Sequence, residues 1–464
     1  LTRPLKAADL VRALRAVDSA AVTAAEWRVA QRIADHLAQR QQGAAGAGGG
    51  RLDGHIGVAA ATHALRDPLE TRCRPTPAGC TPRDGDERAF VSAGLEATLL
   101  LGPVVAVTHP YIDTRLKYDP DYQGKKDRVI AGRNARAYLS AQWRYAELFF
   151  GSLDRNWGFG SLPGLVVSST PYSYEHVALS LGTAAVRVDG LLAQLDDLPD
   201  ASGTANHRYF VVRRLVLRPR HGFLVSLWEG TILAGPGRQL EPWYANILNL
   251  GLLAQYDQQT FSNNQLGADV QGRIGRTTIF GSLLIDDIQV DNEVPGDDEP
   301  TAYAVSLGVR GPAGPASWTA WYTRVANLTY RTPNPAEAVM RRQVGLARNF
   351  SDYDQLSLSA GVLAGPDLLL SPEVTLVRQG EGDFRRPYPA VADYDITPVF
   401  LAGTVERTVR LALGARLDRD RAGIALDGGV HLVGNAGHVA GATDTRFVAR
   451  IELTWRFRKE SELP

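Results

Sequence analysis

The strand that ends this chain constrains its fold more than any other stretch. Phe447, Ala449, Ile451, Leu453, Trp455 and Phe457 are apolar, while Val448, Arg450, Glu452, Thr454 and Arg456 between them are nearly all polar. Alternation with a period of two gives a strand one apolar and one charged face. In a soluble sandwich the apolar face turns inward. In a bacterial outer-membrane β-barrel it turns outward to lipid, the polar face lines the lumen, and aromatic residues mark the interfaces.

The connections separate these two readings. Alternating strands recur along the chain: Val91 to Leu99, Ile279 to Ile285, Tyr303 to Val309, Val405 to Leu417 with Arg407 interrupting its apolar face, and Ala422 to Leu432. Short turns fall at Gly102-Pro103, Gly182-Thr183-Ala184, Pro219-Arg220-His221, Gly311 to Pro315, Ala364 to Asp367 and Asp418 to Asp420. Long polar segments alternate with them, at 67–87, 118–132, 153–173, 197–206, 234–263, 291–300, 329–351, 380–397 and 434–444. Loops sorted by length belong to an up-and-down barrel, not to a Greek-key sandwich. The pattern predicts an all-β membrane protein, an antiparallel outer-membrane barrel of about eighteen strands. Trp243 to Tyr256 is assigned to a helical turn inside a long loop, because Asn246, Leu250, Leu253 and Ala254 follow helical spacing. The last strand should close on one beginning near Arg51, leaving Arg458 to Pro464 as a polar tail in the periplasm.

Residues 7–41 differ from the rest, being rich in the helix formers Ala and Arg, with Leu and one Glu among them. Leu10, Leu14 and Val17 predict one short amphipathic helix. Thr23 and Glu26 form a capping box ahead of a second, marked by Trp27, Val29, Ile33 and Leu37. Gln42 to Gly50 is expected to be a flexible joint. The division is therefore 1–48 as a periplasmic helical cap or plug and 49–464 as the barrel.

Composition limits the remaining choices. The formal net charge of +0 offers no electrostatic footprint for nucleic acid. No stretch reaches the roughly 18–20 apolar residues of a membrane-spanning helix, which leaves barrels open. Cys73 and Cys80 flank a Pro- and Gly-containing loop; the expectation is a disulfide in an oxidising compartment, with free thiols as the alternative.

The chain resembles the capsule assembly Wzi family, outer-membrane barrels with a small periplasmic helical bundle. The resemblance is carried by Thr2-Arg3-Pro4-Leu5, by Phe150-Gly151-Ser152-Leu153-Asp154-Arg155-Asn156-Trp157-Gly158, by Leu165-Val166-Val167-Ser168 and by the closing strand. Where the family usually has Trp-Gly-Pro-Gly, this chain has Trp157-Gly158-Phe159-Gly160. The resemblance implies a non-catalytic, lectin-like protein that holds capsular-type polysaccharide at the cell surface and is not the export channel.

Carbohydrate recognition needs aromatic faces and planar hydrogen-bonding groups. The long loops hold both: Trp157, Tyr172 and Tyr174; Arg238, Trp243 and Tyr244; Arg331, Arg341, Arg342, Arg348 and Tyr353; and Arg385, Arg386, Tyr388 and Tyr394. The competing explanation is that interface aromatics of a barrel face lipid headgroups. The acidic run from Asp286 to Glu299 is either a Ca²⁺ site or a solvated acidic loop, and its spacing is not that of an EF-hand. Histidines 109, 176, 207, 221, 431 and 438 are scattered, with no nucleophile motif, phosphate loop or Cys/His cluster beside them. The expectation is a protein with no catalytic activity, cofactor or metal, whose partners are outer-membrane lipid and surface polysaccharide, with a protein partner possible at the outer loops or helices. A passive channel or porin for small solutes is the other reading, and a structural barrel that docks a protein partner is a third.

Overall fold

The computed structural model describes residues 3–4, 7–15, 17, 22–45, 48–63, 66–67, 69–71, 88–160, 162–199, 203–258, 262–287 and 300–462. Eighteen long strands form one closed antiparallel barrel. They are β1 (Gly49–Ala61), β2 (Ala89–Leu101), β3 (Val104–Asp113), β4 (Ala131–Gln142), β5 (Ala146–Leu153), β6 (Tyr174–Gly182), β7 (Val186–Gln194), β8 (Ala205–Arg220) and β9 (Phe223–Pro236). The circuit continues with β10 (Asn263–Ile274), β11 (Thr277–Asp287), β12 (Ala302–Ala313), β13 (Ala316–Val325), β14 (Tyr353–Leu363), β15 (Leu368–Gln379), β16 (Glu406–Arg419), β17 (Ala422–Gly434) and β18 (Thr443–Glu462).

Every strand pairs with its neighbours in sequence, and β1 pairs with β18 to close the ring. Short turns and long loops alternate throughout, including two tight turns, 143–145 and 275–276, that the sequence pattern did not reveal. The apolar parity of β18 faces outward: Phe447, Trp455 and Phe457 are all more than half exposed, whereas Val448 is buried. The Arg407 interruption has a simple cause. Arg407 is the second residue of β16, at the long-loop rim, and Leu411 and Leu413 on the same parity are exposed further along the wall.

Two expectations are corrected. Residues beyond Phe457 do not hang free. β18 runs on to Glu462, pairing Arg458 with Asp53 and Glu462 with Gly49. Arg458 Nε donates to Asp53 Oδ1 at 2.9 Å, and Arg51 lies 3.6 Å from Glu460, so opposite charges hold the polar tail in register. Nor is all of Gln42 to Gly50, of which Gly46 and Ala47 lie outside the described residues, a joint. The second helix extends to Ala45 and β1 opens at Gly49; Gln and Ala favour helix strongly enough to carry the single Gly43. Cys73 and Cys80 lie outside the described residues, as do Asp291 to Glu299 of the acidic run.

Helices α1 (Ala7–Arg15) and α2 (Ala24–Ala45) sit at the short-turn end. The capping box forms as expected: Thr23 N donates to Glu26 Oε2 at 2.7 Å and Glu26 N to Thr23 Oγ1 at 3.2 Å. Arg32 ties α2 to the turn between β14 and β15 through Asp367 at 2.9 Å and the Pro366 carbonyl. A cavity of about 1330 Å³ separates the helices from wall residues that include His55, Glu96, His109 and Arg136.

Candidate functional site

The lumen is filled from the long-loop end. The 154–173 loop turns inward, contrary to the expectation of an outward surface loop. Asn156 builds its hairpin: its side-chain oxygen accepts from Gly158 N at 3.0 Å and Gly164 N at 2.8 Å, and its amide donates to the Leu162 carbonyl at 2.8 Å. Gly160, at φ +66°, supplies the left-handed turn at the tip. The tip descends far enough for Phe159 to pack on Phe280, 5.2 Å between ring centres, only three residues above the start of β11. Arg3 meets the same loop from the other side, in a two-hydrogen-bond bridge with Asn156.

Loops 326–352 and 380–405 complete the filling. Leu165, Val166 and Val167 share a buried core with Tyr330, Leu346, Tyr353, Phe384 and the wall residues Phe210, Trp228 and Ile232. Tyr330 Oη donates to the Leu165 carbonyl at 2.9 Å, and Ser168 N donates to Leu346 O at 3.1 Å. Arg208, fully buried, donates to the carbonyls of Ala336, Ala338 and Met340. These contacts knit loop to loop and loop to wall.

A cavity of about 570 Å³ remains between the loops and one side of the wall. Arg66, Glu70, Asp154, Tyr172 and Arg348 border it from the loops; Arg133, Trp321, Glu373 and Arg410 border it from the strands. Tyr172 is sandwiched between two guanidinium groups, Arg66 at 4.3 Å and Arg133 at 4.4 Å from its ring centre, and its hydroxyl donates to Asp119. Burial disfavours the Arg66 charge, but Tyr172, Asp119 and Asp121 outweigh it and leave its pKa above the ordinary value. Asp121 is pushed up, chiefly by burial, although Arg66 opposes the shift. Arg348 donates to Tyr353 Oη at 2.6 Å and to the Pro163 carbonyl at 3.1 Å. The buried Nε atoms of Arg133 and Arg410 find no hydrogen-bond acceptor among the described residues. The cavity thus presents cationic donors, neighbouring carboxylates and aromatic surface, a set suited to a hydroxyl-rich or acidic ligand.

The match to known proteins agrees with this architecture. Residues 86–320, just over half of the chain, match the family model for capsule assembly protein Wzi. The chain belongs to the Wzi family. Among solved structures, Wzi of Escherichia coli superimposes with a TM-score of 0.63 at 11% identity, covering 100% of this chain and 93% of that one. That protein is described as an outer-membrane, carbohydrate-binding β-barrel involved in group 1 capsule assembly. The Pseudomonas aeruginosa outer-membrane protein OpdK, at 11% identity, covers 89% of this chain and 99% of its own, with a TM-score of 0.49. No curated protein sequence matches the chain. Fold and family place this barrel in the outer membrane, with its short turns on the periplasmic side and its outward face in contact with lipid.

Within the Wzi-family barrel the residues singled out from sequence fall into separate places. Tyr172, Arg348 and Tyr353 come together at the cavity. Arg385 reaches its edge, donating to Asn349 Oδ1 at 2.6 Å and to the Gln343 carbonyl at 2.7 Å. Trp157 and Tyr174 are buried in the loop core, Trp157 with Arg214 5.4 Å from its ring. Arg386 is exposed, and Tyr388 packs edge-on to Tyr394 at 6.1 Å. Arg238, Trp243 and Tyr244 belong to another loop, on the outside of the wall, where Tyr244 is fully buried. Sequence reasoning passed over Arg66, Arg133 and Trp321. Arg133 and Trp321 lie on strands, and Arg66 begins a long loop without an aromatic neighbour in sequence, so a search for Arg–aromatic clusters within loops does not find them.

Proposed function

We propose that this protein binds an exported, capsular-type polysaccharide and holds it at the cell surface without altering it chemically. The observation that carries the reading is the cavity with unsatisfied arginine donors, Nε of Arg133 and Arg410, beside Tyr172, Trp321 and Arg348. Guanidinium groups bind carboxylate and hydroxyl oxygens in a plane, and aromatic rings cover the C–H faces of sugars. The E. coli relative is described as carbohydrate-binding, which supports the assignment. On this reading Arg386, Tyr388 and Tyr394 form an outer contact for the same chain, residues 1–48 act as a periplasmic stopper, and no catalytic step is involved.

The test is titration of the detergent-purified protein with size-fractionated acidic capsular polysaccharide. Wild type should bind, and the double variant Arg133→Ala/Arg410→Ala should bind at least tenfold more weakly while keeping its melting temperature within a few degrees. In cells, deletion should release polysaccharide into the medium. Retention equal to wild type, together with absence of binding in vitro, would refute the proposal. Steady ion current without glycan binding would favour the channel reading instead.

A further inference from the structure

One loop takes a route that polysaccharide binding does not explain. Residues 237–258 leave β9 at the extracellular rim and form helices α3 (Pro242–Ala245) and α4 (Gly251–Gln258). They do not enter the lumen. The side of the wall they cover follows from strand parity. A Cβ on Gly230 would lie 2.8 Å from Val166 of the lumenal loop, and Trp228 and Ile232 pack in the same inner core. Glu229, Thr231 and Leu233, on the opposite parity, therefore face outward. So do Val211 and Arg213 on β8, which pair with Thr231 and Glu229. The loop packs on this outer face: Tyr244 and Ala254 share a buried cluster with Val211 and Leu233, flanked by Leu192, Tyr209 and Trp243.

A charged pair lies beneath the loop. Arg213 and Glu229 are 3.0 Å apart and both are buried. The loop backbone satisfies what is left. Gly251 N and Leu252 N donate to the Glu229 carboxylate at 2.6 and 2.7 Å, and Arg213 donates to the carbonyls of Asn246, at 3.1 Å, and Tyr244. An uncovered ion pair on the lipid face of a barrel is strongly unfavourable, so these bonds require the loop to stay closed on the wall.

The depth of the pair places the loop. Glu229 is six residues above the start of β9 at Phe223. At ~3.3 Å per residue and a ~40° tilt, it stands ~15 Å above the periplasmic turns, inside an apolar belt that is ~25 Å tall. α4 begins on Glu229, so its surroundings lie at that depth as well. Asn246, Asn249 and Asp257 are exposed along this segment, and so are three leucines, Leu248, Leu250 and Leu253, at 73%, 54% and 59%. The leucines continue the lipid-facing wall formed by Leu227, Leu266 and Val270, which are also exposed.

We infer that residues 237–258 form a membrane-embedded flap, closed over Arg213 and Glu229, whose Leu248, Leu250 and Leu253 contact the acyl chains of the outer leaflet. The inference is independent of glycan binding. It predicts that Arg238, Trp243 and Tyr244 serve the membrane anchorage of the barrel.

Power-saturation spin-label spectroscopy on the full chain in phosphatidylcholine–phosphatidylglycerol vesicles tests it. A label at Leu253→Cys, with Cys73→Ser and Cys80→Ser, should collide more with oxygen than with a nickel chelate, as a label at the wall control Leu413→Cys does. Nickel accessibility equal to that of Val391→Cys in the 380–405 loop would overturn the proposal. A second measurement leaves both cysteines intact: benzoylphenylalanine in place of Leu253 should photocrosslink to lipid as it does in place of Leu413. Absence of a lipid adduct at 253, where 413 gives one, also overturns it.

Discussion

Asp352 holds two of the lumenal loops together, and its removal should unplug the barrel. The residue is fully buried at the base of β14, in the left-handed region at φ +58°. Its carboxylate accepts Gly382 N at 2.9 Å, Ala402 N at 3.0 Å and Leu401 N at 2.5 Å, joining the 326–352 and 380–405 loops. The approach is close enough that a Cβ on Gly382 would lie 2.6 Å from Asp352 Cβ, so glycine is required there. Burial pushes the Asp352 pKa upward, and the three backbone donors oppose that shift. Asp352→Ala removes three charge-assisted hydrogen bonds, each contributing roughly 1.5–3 kcal/mol, and strands one buried and two partly buried donors. Because bonds in one cluster are not additive, the expected cost is about 4 kcal/mol, or close to a thousandfold in the equilibrium between packed and released loops. Planar-bilayer recording reads this directly. Wild type should show rare or no openings, whereas Asp352→Ala should conduct with frequent noisy transitions and melt at a lower temperature. A variant that inserts normally yet remains as silent and as stable as wild type would refute the claim that these bonds keep the loops in the lumen.

Further predictions address the cavity, the rim and the helices. Tyr172→Leu removes the ring between Arg66 and Arg133 and should lower stability by about 1–2 kcal/mol, read by thermal melting, as well as weakening polysaccharide binding. Glu337 is buried and its pKa is pushed up to about 7 by desolvation, with Asn334 and Arg238 opposing. Its neutral form therefore suits the fold: below about pH 4.5 it imposes no penalty, and the penalty grows until about pH 7, reaching about 3 kcal/mol. Glu337→Gln should match wild type at acid pH and exceed it in stability above pH 7; a constant difference across the range would contradict the assignment. Thr23→Ala removes the reciprocal cap of α2 and should cost about 1 kcal/mol, seen as several-fold faster amide exchange in its first turn with the barrel unaffected.

Much of the architecture was legible in the chain because a lipid-facing wall leaves a periodic signature. Phe447 to Phe457 alternate because one face meets hydrocarbon and the other the lumen, and the loops differ in length because the two ends of the barrel do. The capping box at Thr23 and Glu26 is likewise a local code, and it folded as read. The tight turn at 143–145 escaped because Trp143-Arg144-Tyr145 carries neither Gly nor Pro; the turn at 275–276 does carry a signal, Gly275 at φ +58°, which was passed over.

The candidate site was only half legible. Tyr172, Arg348 and Tyr353 were found as members of loop clusters, but their meeting with Arg66, Arg133, Trp321 and Arg410 depends on loops far apart in sequence folding into one lumen. The direction each loop takes is also a tertiary matter. The 154–173 loop goes inward because Asn156 folds it into a hairpin whose apolar tip finds Phe280; residues 237–258 go outward because Arg213 and Glu229 leave a charged pair on the wall that their backbone covers. Sequence by itself determined the barrel, its strand order and the composition of its loops, since these follow from alternation and length. Tertiary structure alone decided which loop fills the lumen and which lies against the membrane, since that depends on the unpaired groups each loop meets when the barrel closes.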